Sequence, residues 1–273
     1  MSDPTLPPGT KIADRFEIER LAGRGGMGVV YRALDLETNA TVALKLLLET
    51  SPDAGERFLR EGRLLAQLRH PNIVAYVAHG QSTAGTFYLA MEWLDGHDLE
   101  DHLRAGALSL DACRALLEGV ASGLAAAHTQ GVIHRDLKPT NLFLVGGEVA
   151  QVKVLDFGIA RPEDATRALT QTGAIVGTLG YMAPEQARSQ RALTPAADLF
   201  SLGCVLYRCL TNETPFAASH PAAALGRVLF DEPPPVHIRR PDVSVALNHL
   251  LLRLLAKDPH ARWPDAAAFL AGR

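Results

Sequence analysis

Cysteine is scarce in this chain of 273 residues, and its three copies are Cys113, Cys204 and Cys209. Their number is odd and no two of them form a C-x-x-C pair, which fits a reducing cytoplasm better than a disulfide-stapled secreted fold. We interpret them as buried thiols. The ten histidines contain no H-E-x-x-H motif and no closely spaced Cys/His set, which disfavours a metalloprotein.

A long hydrophobic run and an excess of one charge are also missing. No uninterrupted apolar stretch approaches the roughly 18 residues that a membrane helix needs, and the start MSDPTLPPGT has no basic region followed by an apolar one. We therefore expect no membrane segment and a cytoplasmic location, either alone or as part of a longer protein. The 27 basic and 30 acidic side chains give a net charge of −3, so no global basic field indicates a nucleic-acid partner.

The first third of the chain alternates strand-like runs with turn signals. These runs predict strands over 15–23, 28–39, 40–49, 72–80 and 86–94. Between the third and fourth runs, residues 55–70 carry apolar side chains at helical spacing and end before Pro71. The pattern predicts a small antiparallel sheet that carries one helix.

After Gly96 the character changes to long helical stretches rich in alanine and leucine, such as 110–131 and 196–212. The second half should therefore be mainly helical, which gives an α+β chain. The segment from Asp156 to Glu185 lacks periodicity, and a loop this long in a compact domain is usually functional.

A glycine-rich motif, G-x-G-x-x-G-x-V, lies between the first two strand-like runs. Glycines let backbone amides approach phosphate oxygens, although such a motif is about equally often only a hairpin. A dinucleotide-binding Rossmann unit is disfavoured because the glycines lead into a strand pattern and not into a helix. The candidate phosphate-binding residues are Gly23, Arg24, Gly25, Gly26, Met27 and Gly28.

A lysine, Lys45, stands at the end of the next apolar strand. A lone lysine there is usually a solvated charge. Glu61, however, lies on the following helix, and an ion pair between the two can hold Lys45 toward the α- and β-phosphates of a nucleotide. Glu56 is a less well placed alternative partner.

The most specific stretch is VIHRDLKPTN, residues 132–141, followed by Asp156-Phe157-Gly158 and by Ala183-Pro184-Glu185. With DRFEIERLAGRGGMGVVYRA and GTLGYMAPEQ, these motifs resemble the bacterial Hanks-type serine/threonine protein kinases from about Phe16 to Trp263. The resemblance implies a two-lobed kinase fold. We expect an N-terminal extension over 1–15 and a kinase domain over 16–273, with its N-lobe at 16–94 and its hinge and C-lobe at 95–273.

Phosphoryl transfer from ATP needs cations, metal-binding oxygens and an acceptor for the proton of the nucleophile. By resemblance, Asp136 receives that proton, Lys138 reaches the γ-phosphate, and Lys45 with Glu61 completes the catalytic set. Asn141 and Asp156 are the expected Mg²⁺ ligands, with Mn²⁺ as a substitute metal. A lysine followed by Pro-x-Asn after the aspartate is typical of serine/threonine rather than tyrosine kinases.

The resemblance also implies an adenine site between the lobes, with Met91 as gatekeeper and a hinge at Glu92 to Leu94. Besides the glycine motif and Lys45, the expected nucleotide-binding residues are Leu21, Val30, Ala43, Met91, Glu92, Leu94 and Phe143. Apolar residues at such positions are equally expected in any core.

Several other positions take family roles by resemblance. Thr170 and Thr172 match an autophosphorylated T-x-T pair, whose phosphates Arg135 can bind and which can otherwise be ordinary loop residues. Glu185 and Arg262 match a buried ion pair. The remaining expectations are that Asp198 holds the catalytic backbone, that Phe200 replaces a usual tryptophan, and that a lobe-linking apolar column contains Leu65, Tyr76, His134 and Phe157.

Two other functions compete with a protein kinase. A pseudokinase or signalling scaffold would bind nucleotide without transferring phosphate, but such proteins usually lack one of the catalytic groups present here. A small-molecule kinase generally lacks both the Ala-Pro-Glu motif and the long loop before it. We expect protein substrates that carry serine or threonine, and by analogy a homodimer formed through the N-lobe.

Overall fold

The computed structural model of the chain describes residues 5–25, 28–47, 52–157, 179–190 and 192–272; the side chains of residues 52–54, 57 and 61 lie outside this description. Contacts divide the chain into two compact units. The first unit comprises Met1–His70 and Val74–Asp95, and the second comprises Pro71–Ile73 and Gly96–Arg273.

The first unit contains a six-stranded antiparallel sheet with the order β1-β2-β3-β4-β6-β5. Its elements are β1 Lys11–Ile12, β2 Phe16–Gly25, β3 Gly28–Asp35, β4 Ala40–Leu47, helix α1 Pro52–Leu65, β5 Tyr76–Gln81 and β6 Phe87–Glu92. Alternate side chains such as Tyr31 and Leu44 enter the core, as period-two patterning requires. The predicted small antiparallel sheet with one helix is confirmed.

The N-terminal residues contribute more to this unit than the sequence indicated. Strand β1 pairs with β2, Ile12 joins the core, and the backbone amide of Leu6 donates to the hydroxyl of Tyr31 at 3.0 Å. Strand β1 has only two residues, which is too few to show the alternation of apolar and polar side chains by which a strand is predicted from sequence. The described part of the predicted extension therefore packs on the sheet.

Several predicted boundaries were wrong. Strand β3, for example, ends at Asp35 and not at 39, and two further differences have a physical explanation. Strand β5 begins at Tyr76 and not at 72, because Asn72 and Ile73 join the second unit: the Asn72 amide donates to the carbonyl of Val152 at 2.9 Å, and Ile73 pairs with Val154. Apolar alternation shows a strand-like segment but not which sheet it joins. Helix α1 ends at Leu65 and not at 70. Beyond Leu65 the backbone forms tighter i to i+3 hydrogen bonds, which end the α-helix.

A buried carboxylate, Asp35, fixes the turn between β3 and β4. It accepts two hydrogen bonds from Arg15, at 2.9 and 2.8 Å, and further bonds from the Glu37 amide and the Thr38 hydroxyl. The bonds from Arg15, helped by these donors, outweigh the effect of burial and lower the pKa of Asp35 from 3.8 to about 2.

We expect Asp35→Asn to lower the free energy of unfolding by about 2 kcal/mol at neutral pH. Because the folded-state pKa is depressed, this stabilisation is complete above about pH 4 and is lost as the pH falls through about 2. Urea denaturation of both proteins at pH 7 and pH 2.5 measures the difference, and an equal gap at both pH values would contradict the assignment.

The second unit is mainly helical, as predicted. Its helices are α2 Leu99–Leu103, α3 Leu110–Thr129, α4 Pro184–Ala187, α5 Ala196–Thr211, α6 Pro221–Phe230, α7 Val236–Arg239, α8 Val245–Leu254 and α9 Ala266–Ala271, and its small sheet has the order β7 Gly96–Asp98, β8 Leu142–Val145 and β9 Val152–Val154. In the described ranges no helix is both long and apolar enough to cross a bilayer.

Helix α5 forms the centre of this unit, since 14 of its 16 residues are buried. A helix that is apolar on all sides belongs inside a core. Its two cysteines, Cys204 and Cys209, are buried free thiols, as is Cys113 on α3, which confirms our interpretation. Phe200 stacks on the ring of Phe216 with centroids 5.8 Å apart, so the position keeps an aromatic packing role.

Candidate active site

In the first unit, strand register brings the candidate nucleotide-binding residues onto one face of the sheet. Directly paired residues of an antiparallel ladder point to the same face. One row across the strands contains Gly23, Val30, Lys45 and Leu89. The next row contains Arg20, Arg32, Ala43 and Met91. Gly23 and Lys45 therefore lie in one row with Val30 between them, although 22 positions separate them in the sequence.

Leu21 does not join this face. It pairs with Tyr31, which points into the core from the opposite face, and its own side chain is 43% exposed. The ladder shifts register between Leu21 and Gly23, so one extra residue is inserted there. A bulge of this kind interrupts the alternation of side chains along β2. The contact of Leu21 with nucleotide, which the family resemblance implies, stays a prediction.

The glycine motif has a packing reason beside its proposed binding role. Gly25 pairs with Gly28 where the hairpin closes, with Arg24 just before it on β2. A Cβ atom on Gly28 would lie 2.4 Å from the carbonyl oxygen of Leu46, so only glycine fits against strand β4.

Several predicted positions lie outside the described residues: Gly26, Met27, Gly158, Thr170 and Thr172. Glu61 lies on helix α1, but its side chain is outside the description, so its ion pair with Lys45 stays a prediction. Of the expected hinge, Glu92 ends β6, and its amide donates to the carbonyl of Ala75 at 2.9 Å. Leu94 follows it and is half-buried.

In the second unit, three polar side chains of the HRDLKPTN segment lie in contact. The Lys138 ammonium is 3.1 Å from Oδ2 of Asp136, and the amide nitrogen of Asn141 donates to the backbone carbonyl of Asp136 at 2.8 Å. The same nitrogen is 3.4 Å from Oδ2. The segment therefore brings together a carboxylate, a cation and a side-chain amide whose oxygen takes no part in these contacts. Phe143 lies just beyond, half-buried on β8.

A buried carboxylate on helix α5 holds this segment in place. Asp198 accepts hydrogen bonds from the amides of His134 and Arg135, at 2.7 and 2.9 Å. Arg135 has a φ of 65°, an uncommon value for a residue with a side chain, and these bonds offset its cost. Burial alone would raise the pKa of Asp198, but the hydrogen bond from His128 and its other donors outweigh this, so the pKa lies below its ordinary value.

His134 is structural, because both of its ring nitrogens are used. Nδ1 accepts from the amide of Asp136 at 3.2 Å, so Nε2 carries the proton and donates to the carbonyl of Leu155 at 2.8 Å. Its ring packs on Phe157 with centroids 4.8 Å apart. A further bond joins the amide of Leu155 to the carbonyl of Asn141 at 2.9 Å. These contacts hold the residues on either side of Asp156 against the catalytic segment.

Sequence reasoning missed His128, which lies on α3. Its Nδ1 accepts from the amide of Ala266 at 3.2 Å, and its Nε2 donates to Asp198 at 2.9 Å. The two partners are 70 positions apart, and no motif marks the histidine.

We expect His128→Leu to lower the free energy of unfolding by about 2 kcal/mol, because a buried carboxylate loses a donor. Chemical denaturation measures this, with the exposed His249→Leu as control; equal stability of both variants would contradict the role.

The expected ion pair between Glu185 and Arg262 is present and buried. Arg262 donates to both carboxylate oxygens, at 2.7 and 2.9 Å, and also to the carbonyl of Ala196 at 2.8 Å. Next to it, the side chain of Gln186 donates to the carbonyl of Arg135 at 2.8 Å, a contact that the sequence did not indicate. The segment after the long loop is thus tied to the catalytic segment.

No group of three or more His, Cys, Asp or Glu side chains could hold a metal ion by itself in the part of the chain that the structure describes. Asn141 and Asp156 offer hard oxygen ligands, which fit Mg²⁺, but two ligands suit an ion that is also bound by substrate phosphates.

The sequence matches the protein kinase domain family over residues 16–270. Serine/threonine-protein kinase pkn3 of Myxococcus xanthus is 40% identical over 274 residues, which cover 96% of this chain and 50% of that protein. Serine/threonine-protein kinase PknJ of Mycobacterium tuberculosis is 42% identical over 262 residues, covering 93% and 44%. The chain thus spans about half the length of these relatives.

Solved structures show the same fold. The kinase domain of Mycobacterium tuberculosis PknI superposes with a TM-score of 0.76 and 26% identity, covering 98% of this chain and 97% of that one. A structure of Rad53 in complex with AMP-PNP gives a TM-score of 0.78 and 28% identity, covering 94% and 64%. The resemblance to bacterial Hanks-type kinases and the predicted fold class are confirmed. The chain belongs to the protein kinase domain family.

Proposed function

We propose that the chain is a serine/threonine protein kinase domain that transfers the γ-phosphoryl group of ATP to protein hydroxyls. The observation that carries the proposal is the contact of Asp136 with Lys138 and Asn141, in a segment anchored by Asp198. The names of the bacterial relatives, all serine/threonine-protein kinases, support the choice of acceptor.

Nucleotide binding is the proposed task of the shared sheet face in the first unit. Lys45 would bind the α- and β-phosphates, beside the backbone of the glycine motif. Val30, Ala43 and Met91 would contact adenine, with the Glu92 to Leu94 backbone as its hydrogen-bonding partner. The contact of Phe143 with adenine stays a prediction. The Rad53 structure, which contains an ATP analogue, supports this by similarity of fold.

Phosphoryl transfer is the proposed task of the catalytic segment. Asp136 would orient the substrate hydroxyl and accept its proton, while Lys138, 3.1 Å from that carboxylate, would approach the γ-phosphate. Asn141 uses its nitrogen to donate to the Asp136 carbonyl, so its Oδ1 would serve as one metal ligand, and Asp156 would supply the second. When bound, Mg²⁺ neutralises charge on the phosphates.

Activation by autophosphorylation of Thr170 and Thr172 is part of the proposal. Among the described residues, the guanidinium of Arg135 has no ion-pair partner, while its backbone is fixed by Asp198 and Gln186. A cation held beside the catalytic aspartate can bind a phosphate on the loop and order it. Four further expectations remain predictions. They are Mn²⁺ as a substitute metal, the domain boundaries, a cytoplasmic location and a homodimer formed through the first unit.

Metal dependence and loop phosphorylation can be tested together. Purified chain is incubated with labelled ATP, with and without Mg²⁺, and modified residues are mapped by mass spectrometry. We expect label on Thr170 or Thr172 only with the metal, and lower activity toward an added protein in the Thr170→Ala/Thr172→Ala variant. Label that persists with excess chelator would contradict the metal role, and unchanged activity of the double variant would contradict the regulatory one.

A further inference from the structure

Two arginines face the ring of Trp93, which follows β6 within the proposed hinge. The guanidinium carbon of Arg20 lies 5.4 Å from the indole centroid and that of Arg32 lies 5.6 Å from it. The indole Nε1 donates to Asp95 at 2.9 Å. Distances below about 6 Å place both cations within range of attraction by the ring. Trp93 is thus held by two cations and one hydrogen bond, all within the first unit.

The two arginines are placed where like charges repel. Arg20 on β2 is directly opposite Arg32 on β3, and like charges at paired positions destabilise a sheet. Glu19 forms an ion pair with Arg32. Arg20 makes no ion pair with any residue in the described ranges, and the Trp93 ring is the group that it faces. The strand pair keeps an unfavourable arrangement that the indole ring compensates.

The cluster joins two segments that the proposed function assigns to one ligand. Strand β2 leads from Arg20 into the glycine motif at Gly23, and Trp93 lies between the hinge residues Glu92 and Leu94. Arg32 stands in the same cross-strand row as Ala43 and Met91. Any movement of the glycine-motif strand relative to the hinge would separate these contacts.

We propose that Arg20, Arg32 and Trp93 form a positioning cluster that pre-organises the glycine motif and the hinge for nucleotide binding. The inference rests on the proposed function. None of the three needs to touch the reacting atoms, so the cluster should act equally on the ground state and the transition state. Its loss should raise the KM for ATP and leave kcat unchanged.

The test compares Arg20→Gln, Trp93→Leu and the double variant with the wild-type chain. Affinity for a non-hydrolysable ATP analogue is measured by calorimetry, and KM and kcat for ATP are measured with a protein acceptor. Each single variant should bind the analogue roughly threefold to tenfold more weakly. Because both remove the same contact, the double variant should be no weaker than the poorer single one. Arg20→Lys, which keeps a cation over the ring, should recover part of the affinity.

Arg69→Gln is the matched control, since it removes the same charge from an exposed position of the same unit and should bind as the wild type does. Wild-type affinity in Arg20→Gln, additive losses in the double variant, or a fall in kcat without a change in KM would each overturn the positioning role alone. A wild-type chain that binds no nucleotide would overturn the proposed function, and this inference with it.

Discussion

Asp136→Asn should lower kcat for phosphoryl transfer by about 10³- to 10⁴-fold and leave ATP affinity almost unchanged. The amide keeps the size of the side chain but cannot accept the proton of the substrate hydroxyl. The backbone amide of residue 136 donates to His134 and its carbonyl accepts from Asn141, and neither hydrogen bond depends on the carboxylate. The loss should therefore appear in the chemical step.

Single-turnover kinetics with labelled ATP, together with calorimetry for the nucleotide, separate these quantities. Asp111→Asn is a suitable control, because it makes the same chemical change at an exposed position in the first turn of α3. Full activity in Asp136→Asn would exclude this carboxylate as the proton acceptor. A loss of nucleotide affinity as large as the loss of rate would assign it to binding instead.

Arg262→Met should destabilise the second unit by about 3–5 kcal/mol, the largest effect on stability that we expect. The substitution leaves the Glu185 carboxylate buried without its partner, and the carbonyls of Ala196 and Ala256 lose their donor. Both members of the pair are at most 3% exposed, so water cannot replace the lost bonds.

The matched comparison is Glu185→Leu/Arg262→Met, in which no unpaired charge remains. Replacing both members of a buried pair by apolar residues is often close to neutral. The double variant should therefore recover most of the stability that the single variant loses, as measured by urea denaturation. A double variant that recovers none of the lost stability would show that the unpaired Glu185 carboxylate is not the source of the loss, and would assign it to the carbonyl contacts of Arg262.

Local patterns predicted much of this molecule. The alternation in β3 and β4 and the apolar run of α5 depend on neighbours within a few residues, and they indicated the correct element types. The HRDLKPTN segment also concentrates its chemistry locally, since Asp136, Lys138 and Asn141 contact one another within six positions.

Contacts between distant residues could not be predicted in this way. His128 meets Asp198 across 70 positions, and Gln186 meets Arg135 across 51, yet neither pair forms a local pattern. Their positions depend on how the helices pack. The same limit explains why Ile73 was assigned to the wrong sheet and why the bulge beside Leu21 was missed, since an inserted residue reverses the face of every side chain until the register recovers.

The proposed kinase activity is tested most directly by the chemical identity of the amino acids that the chain phosphorylates. Purified chain, Mg²⁺ and ATP labelled at the γ-phosphate are incubated with a generic protein acceptor, and the labelled amino acids are identified after hydrolysis. We predict that the wild-type chain forms phosphoserine and phosphothreonine and that Asp136→Asn forms neither. ATP that binds without any transfer of label to protein would contradict this prediction and favour a pseudokinase.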